Sequence, residues 1–561
     1  MKRIFILPLT LFLFNAVAYA QISTHEKPIG YNSSINLKES SRSSKSRVIT
    51  PPLDMKVIEE EDKKDAANRL LPRFGYPHHV SLDLNNSGIW YTLPNGDKLW
   101  KLNIVCPDAL SVNLYFGRFW LPDGCKLFIY TRDMKHSIGA FTSRNNKGKR
   151  EDKRGFATEL VFGNDIILEY YQPKETFEDA ILSLNTIVHG YRRIKDFAES
   201  GTCNVNVNCE EGLAWQREKK AVALVLVGVI RDSTGSLLNT TSQNQAPLFL
   251  TGNHCVAGYD AMSSPNLDDY VFYWNYEAPG CVNPSSEPEY YTTSGATLLA
   301  NNQDTDFALL RLTEDPRDII GFSPYYLGWD KSGSSGNPGV CIHHPMGDVK
   351  KISTVKNQPN STDAIGWTGL AQATHWEVTW KQTLNGHGIT ESGSSGSPLL
   401  NAEHKVIGQL HGGSSSCENL NSSDKYGRFD LSWIGNGNAS PYRRLDCWLD
   451  SLNMSPSSME GLMVVSDTLN FAISDSIHSN FKVVSGGRIN VFASTSLLGN
   501  SYIIVQNGGL LVIDGCTLYN ADIRLEQGAS LKIINGGVIQ CRNGFYAPLG
   551  VNIEIDEGKI S

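Results

Sequence analysis

The hexapeptide Gly393-Ser394-Ser395-Gly396-Ser397-Pro398 sets the tightest condition on how this chain folds. A serine between glycines on a tight turn can present its hydroxyl while nearby backbone N–H groups point at a developing oxyanion. Taken alone, such a run reads as an ordinary loop. Two upstream segments change that. Phe249-Leu250-Thr251-Gly252-Asn253-His254-Cys255 is an apolar strand end that delivers a histidine, and Asp306-Phe307-Ala308-Leu309-Leu310-Arg311-Leu312 opens with an aspartate that an apolar run then buries. A serine hydroxyl is a poor nucleophile until an imidazole takes its proton, and the imidazole needs a carboxylate to fix its tautomer. His254, Asp306 and Ser395 fit those roles, with the N–H groups of Gly393 and Ser395 as oxyanion donors. Asp304 shares a strand face with Asp306, which is preferred because the apolar run follows it directly.

At 561 residues the chain exceeds one ordinary domain. A net charge of −8 without any basic block argues against a nucleic-acid partner. Met1-Lys2-Arg3, the apolar Ile4 to Phe14 and Ala18-Tyr19-Ala20 before Gln21 form a signal-peptide pattern over residues 1–20. That apolar run is shorter than the ~20 residues of a spanning helix, and no later run reaches that length. The expectation is an exported, soluble protein able to keep disulfides. The eleven cysteines show no paired CxxC metal spacing, and their odd number leaves at least one thiol free or bridged to another molecule.

Residues 21–74 are polar and aperiodic and read as a disordered lead-in, with an acidic cluster at Glu59 to Asp62. Residues 75–195 show short strands between turns, as in Ser111-Val112-Asn113-Leu114-Tyr115-Phe116, and read as a β-sandwich that Cys106–Cys125 would staple. The basic hinge Tyr191-Arg192-Arg193-Ile194-Lys195-Asp196 is a candidate processing site. Residues 196–450 are again strand-rich and of the size of a double β-barrel, and 451–480 read as a linker. From 481 to 561 the texture changes. Val484-Ser485-Gly486-Gly487-Arg488-Ile489-Asn490-Val491 is echoed by Val505-Gln506-Asn507-Gly508-Gly509-Leu510-Leu511-Val512 and again by Glu526-Gln527-Gly528-Ala529-Ser530-Leu531-Lys532-Ile533. Copies about 21 residues apart signal a β-solenoid or β-roll. The repeats hold no catalytic pattern and fit a surface-attachment or sorting role.

The chain order His, Asp, Ser is that of chymotrypsin-like proteases. Residues from Cys203 to about Asp450 resemble bacterial lysyl endopeptidases, a trypsin-like family. The resemblance rests on Gly201-Thr202-Cys203-Asn204-Val205, Phe249 to Cys255, Tyr273-Trp274-Asn275-Tyr276, Gly328-Trp329-Asp330, Ile342-His343-His344-Pro345, the serine motif, Gly408-Gln409-Leu410-His411-Gly412-Gly413, Ser423 to Arg428 and Ser432-Trp433. It implies a chymotrypsin-like double β-barrel; with the β-sandwich expected before it as a prodomain and the β-solenoid or β-roll repeats after it, the chain reads as all-β. It also implies a serine endopeptidase cutting after lysine. Carried over by residue, the triad falls on His254, Asp306 and Ser395, and the pocket carboxylate on Asp424. A buried anion suits a lysine side chain, whose charge is costly to desolvate unpaired. Trp367 and His411 match the aromatic and imidazole associated with preference for Lys over Arg. Family disulfides imply Cys203–Cys417 and Cys209–Cys281; Cys255 lacks its family partner, since Ser233 stands in that place, leaving it free or paired with Cys341 or Cys447.

Animal trypsins carry an aspartate before the catalytic serine that pairs with a freed N-terminus; Ser394 cannot, so activation must differ. The sandwich is expected to act as the enzyme's own propeptide, released by cleavage after Lys195 or Arg193. No cofactor is needed for acyl transfer. Adjacent His343 and His344 on a strand point to opposite faces, which argues against joint metal ligation. Two other readings stand beside the lysine-specific one: a protease cutting after Arg or after both Lys and Arg, and a protease-like adhesion protein with vestigial catalysis.

Overall fold

In the computed structural model of the chain, strands separated by glycine turns assemble into six β-sheets among the described residues. The structure describes residues 26–31, 45–67, 73–192, 200–257, 266–319, 321–363, 373–499 and 501–561. The signal-peptide pattern, Trp367, Arg193 and Lys195 lie outside these.

Two sheets form the N-terminal part. One runs Arg47–Ile49, Lys98–Val105, Asp165–Gln172, Lys126–Thr131 and Ser137–Phe141, with Ile89–Thr92 beside Lys98–Val105. The other centres on Ile181–Gly190 and Ser111–Trp120. Alternation along each strand turns Leu102, Ile104 and Leu168 of the first onto Val112, Leu114 and Ile187 of the second, in one buried core. Cys106 and Cys125 are both buried and both free, so no staple crosses this sandwich. Cys125 Sγ instead meets the Tyr170 hydroxyl at 3.1 Å.

The lead-in is more structured than its composition predicts. Arg47–Ile49 adds a parallel strand beside Asn103–Val105, and Met55–Ala67 is a helix. Within the acidic cluster Asp62 takes Arg73 at 2.9 Å and also pairs with Arg192, so specific partners replace the self-repulsion that would favour disorder.

The next segment holds two mainly antiparallel sheets. One runs Tyr291–Ser294, Tyr270–Trp274, Val222–Val227, Ile230–Leu237, Leu248–Gly252, Phe307–Leu312, Ala296–Asn302. The other runs from Val205–Asn206 through Lys351–Thr354, Pro338–His343, Pro398–Asn401, Lys405–Gly413, Asp424–Arg428 and His375–Val378 to Asn360–Thr362. These are the two halves of a chymotrypsin-like fold.

In the C-terminal part, parallel strands stack in register: Leu469 beside Ile489, then Leu511, Leu531 and Ile553, in steps of 20 and 22 residues. That is a β-solenoid, with Ile489, Leu511 and Leu531 inside facing Ile503 and Ile523 of the opposite sheet. It begins earlier than the repeat motif does. Strands Ser458–Met459, Gly461–Val465, Thr468–Phe471 and Asp475–Ile477 occupy the stretch expected as a linker. This first rung lacks the Gly-Gly turn because its neighbour on one side is a strand of the preceding fold: Leu462 and Met463 pair antiparallel with Tyr326 and Tyr325.

Candidate active site

Each of the three candidate residues sits just outside a strand end, where backbone is freed from ladder bonding. Leu248–Gly252 ends two residues before His254, which opens a single helical turn, His254–Ala257. Asp306 immediately precedes Phe307–Leu312, the strand paired with Leu248–Gly252 through Gly252 and Phe307. That pairing brings the two side chains together. Asp306 Oδ2 lies 2.7 Å from His254 Nδ1, and its Oδ1 accepts the His254 backbone N–H at 3.0 Å. Asp306 has φ +53°, a left-handed conformation that aspartate tolerates better than most residues and that collects at functional sites. Asp304 is taken by Asn436 Nδ2 at 3.1 Å, so Asp306 is the partner of His254. Burial disfavours a charge on His254, but Cys255 and the Asp306 carboxylate beside the ring outweigh it and hold the imidazole pKa well above its ordinary value.

The serine turn packs directly on the histidine strand. A Cβ at Gly396 (φ +78°) would fall 2.2 Å from Thr251 Oγ1 and 2.6 Å from the Gly252 nitrogen, so only glycine permits this approach. The Ser395 carbonyl accepts the Thr234 N–H at 2.8 Å, tying the turn to the first sheet. The N–H groups of Ser394, Gly396 and Ser397 are bonded to Glu391, Leu410 and Ser394 carbonyls. Those of Gly393 and Ser395 make no backbone bond among the described residues, which is the pattern of an oxyanion site. His254 Nε2 faces Cys255 Sγ at 3.6 Å.

Asp424 is fully buried at the start of Asp424–Arg428. Its Oδ2 accepts from Trp380 Nε1 and Thr390 Oγ1, both at 2.7 Å, and from Ser415 Oγ at 2.5 Å; its Oδ1 accepts the Ser415 N–H at 3.1 Å. Burial raises its pKa despite these donors. A Cβ on Gly413 would lie 2.0 Å from Asp424 Oδ1, so the bare glycine is what leaves room beside the carboxylate. His411 stacks on His254, ring centroids 5.6 Å apart and 27° between planes.

The structure joins Cys203 to Cys417 and Cys209 to Cys281. Cys255 is free and pairs with neither Cys341, whose Sγ lies 3.2 Å from Ser397 Oγ, nor the exposed Cys447. Ser394 is buried, with its hydroxyl 2.8 Å from His343 Nδ1; burial pushes His343 to a pKa of about 3, so this partner is neutral. Sequence reading missed Trp380, Thr390 and Ser415 around Asp424. It also missed His375, whose Nε2 lies 2.9 Å from His411 Nδ1. None carries a local motif; Trp380, Thr390 and Ser415 lie outside the named strands and reach Asp424 by side-chain hydrogen bonds, while His375 opens the strand His375–Val378.

Fold and site together define a chymotrypsin-like serine protease domain. Residues 197–427 match the model of the lysyl endopeptidase C-terminal domain. The lysyl endopeptidase of Pseudomonas aeruginosa is 29% identical over 241 residues, 41% of this chain and 48% of that protein, so this chain spans about half the length of the curated relative. This segment is lysyl endopeptidase-like. Solved structures also align at low similarity: the serine endoprotease from Yersinia pestis (15% identity, 40% of this chain, 64% of that chain, TM-score 0.26) and the MamO protease domain from Magnetospirillum magneticum (12%, 40%, 100%, 0.26).

Proposed function

We propose that this chain is an exported serine endopeptidase that hydrolyses the peptide bond on the carboxyl side of lysine through an acyl-enzyme. The observation that carries this reading is the His254–Asp306 pair at 2.7 Å beside a serine turn whose Gly393 and Ser395 N–H groups make no backbone bond among the described residues. His254 Nε2 takes the Ser395 proton as Oγ attacks the carbonyl carbon, and Asp306 holds Nδ1 protonated and stabilises the imidazolium. The oxyanion settles on the N–H groups of Gly393 and Ser395. His254 then returns its proton to the leaving amine, and water releases the acyl group by the same steps in reverse.

Lysine preference is supported by Asp424, a buried carboxylate whose hydroxyl donors can turn to admit an ammonium. His411 beside His254, with Trp367, would narrow the approach against the broader guanidinium. The N-terminal sandwich serves as propeptide, and the solenoid as a means of surface association. The test is a digest of an unfolded protein mixture by the purified chain and by Ser395→Ala, reading the residue before each cut by mass spectrometry. Cuts after Lys alone, absent from the variant, are expected. Cuts after Arg as well would overturn the narrow pocket, and no cuts from folded wild type would overturn the enzyme reading.

A further inference from the structure

Between the pocket and the oxyanion turn lies a carboxylate that the chemistry above does not use. Thr390 holds Asp424, Gly393 supplies an oxyanion donor, and Glu391 stands between them. Its backbone is part of the nucleophile turn: its carbonyl accepts the Ser394 N–H at 2.9 Å, and its N–H donates to Ser394 Oγ at 3.2 Å. Its side chain points elsewhere, to the segment that follows the hinge. Glu391 Oε2 accepts the Gly201 N–H at 3.0 Å and Asn204 Nδ2 at 2.8 Å, and Oε1 accepts the Gly201 N–H at 3.2 Å. Both donors are themselves fixed. Cys203 is bridged to Cys417, and a Cβ on Gly201 would fall 2.4 Å from Cys417 Sγ, so this stretch has no room to shift.

We infer that Glu391 is a positioning residue: by anchoring to Gly201 and Asn204 it fixes the Gly393–Ser395 turn so that the two oxyanion N–H groups converge. Animal trypsins fix the corresponding turn with a charge beside the serine; here Ser394 is occupied by His343, and Glu391 supplies the anchor from three residues earlier. Hydrogen bonds to a charged group are stronger than neutral ones, which suits a carboxylate for holding a loop. The anchor also links the turn to the chain just after residues 193–199, so the catalytic turn is tied to the side of the hinge that stays with the enzyme.

This inference rests on the endopeptidase reading, and its test separates the two. Glu391→Gln and Asn204→Ala are compared with wild type on a lysine peptide substrate. Alongside are n-butylammonium, an inhibitor that probes the Asp424 pocket, and a peptide aldehyde ending in lysine, which probes the oxyanion site. Expected for Glu391→Gln is a kcat about 30-fold lower, below the loss from deleting one oxyanion donor outright, with KM within about twofold. Aldehyde affinity falls in parallel while n-butylammonium affinity holds. Asn204→Ala, which leaves the carboxylate in place, shows the same split at about fivefold. Unchanged kcat in both variants would overturn the inference, as would a parallel loss of kcat and n-butylammonium affinity, the mark of a general packing role. A wild-type chain that cleaves nothing removes the parent reading, and this one with it.

Discussion

The central fold has a neighbour on each side, and the two are attached by different physics. The N-terminal sandwich is held mainly by side chains. Phe74, Tyr115, Leu160 and Val188 pack on Leu224, Leu226, Val271 and Tyr273. Arg154 forks onto Asp268, with Nε 2.8 Å from Oδ2, and the buried Lys147 donates to the Asp268 carbonyl at 2.8 Å. Backbone joins the two there at Phe74, which donates to the Val229 carbonyl, and at the isolated bridge between Arg73 and Ile230. The solenoid is held by strands. Tyr325–Tyr326 continues its sheet, Trp329 pairs with Met459, and one hydrophobic core runs from Trp329 through Phe481 to Ile539. A side-chain interface can open with both partners intact, whereas a shared sheet cannot lose one partner without exposing edge strands and core. That difference supports the proposal that the sandwich is released as a propeptide while the solenoid is retained.

The sharpest way to break that comparison is deletion. Removing residues 458–561 should leave no soluble folded barrel, seen as loss of protease-resistant core; a deletion chain with native melting behaviour would refute the shared-core argument. Next, Phe481→Ala, at a fully buried site in the joint core, should cost about 4 kcal/mol, read as one cooperative shift of the urea transition for both barrel and solenoid. Asp268→Ala should weaken the sandwich attachment by about 3 kcal/mol, because it strands the Arg154 guanidinium and the Gly155 N–H, while leaving the barrel's own transition in place. The smallest effect concerns pH. Burial lowers Lys147 to about 8 against its ordinary 10.5, with Asp268, Glu314 and Asp269 opposing that shift and Arg154 adding to it. Between those values the unfolded chain binds a proton that the folded one lacks, so the Lys147 contribution to stability rises with pH by up to about 1.4 kcal/mol per unit. Lys350 is lowered to about 8 as well and titrates in both proteins, so the Lys147 slope should appear as the difference between wild type and Lys147→Met from pH 8 to 10.

The same contrast explains what could be read in advance. Repeats of 20 to 22 residues and the His, Asp and Ser segments are local patterns, so they are legible wherever the chain places them. The first solenoid rung was not, because Gly461–Val465 is fixed by partners on both sides, Tyr325–Tyr326 and Ser479–Val483, rather than by a motif. The helix at Met55–Ala67 was hidden by its charge, since its Asp62 finds Arg73 and Arg192 only after folding.

By itself the sequence determined the chemistry on offer: an imidazole, a carboxylate and a glycine-flanked hydroxyl in one chain order, strand-forming texture, and a repeating C-terminal period. The apolar run after Asp306 already favoured it over Asp304, and it is Asp306 that lies 2.7 Å from His254; tertiary structure alone surrounded Asp424 with Trp380, Thr390 and Ser415, and set Glu391 against Gly201. The reason is that residue type and spacing report what a side chain can do. Which partner it meets depends on strand pairings between residues far apart in the chain, and those are fixed only when the sheets close.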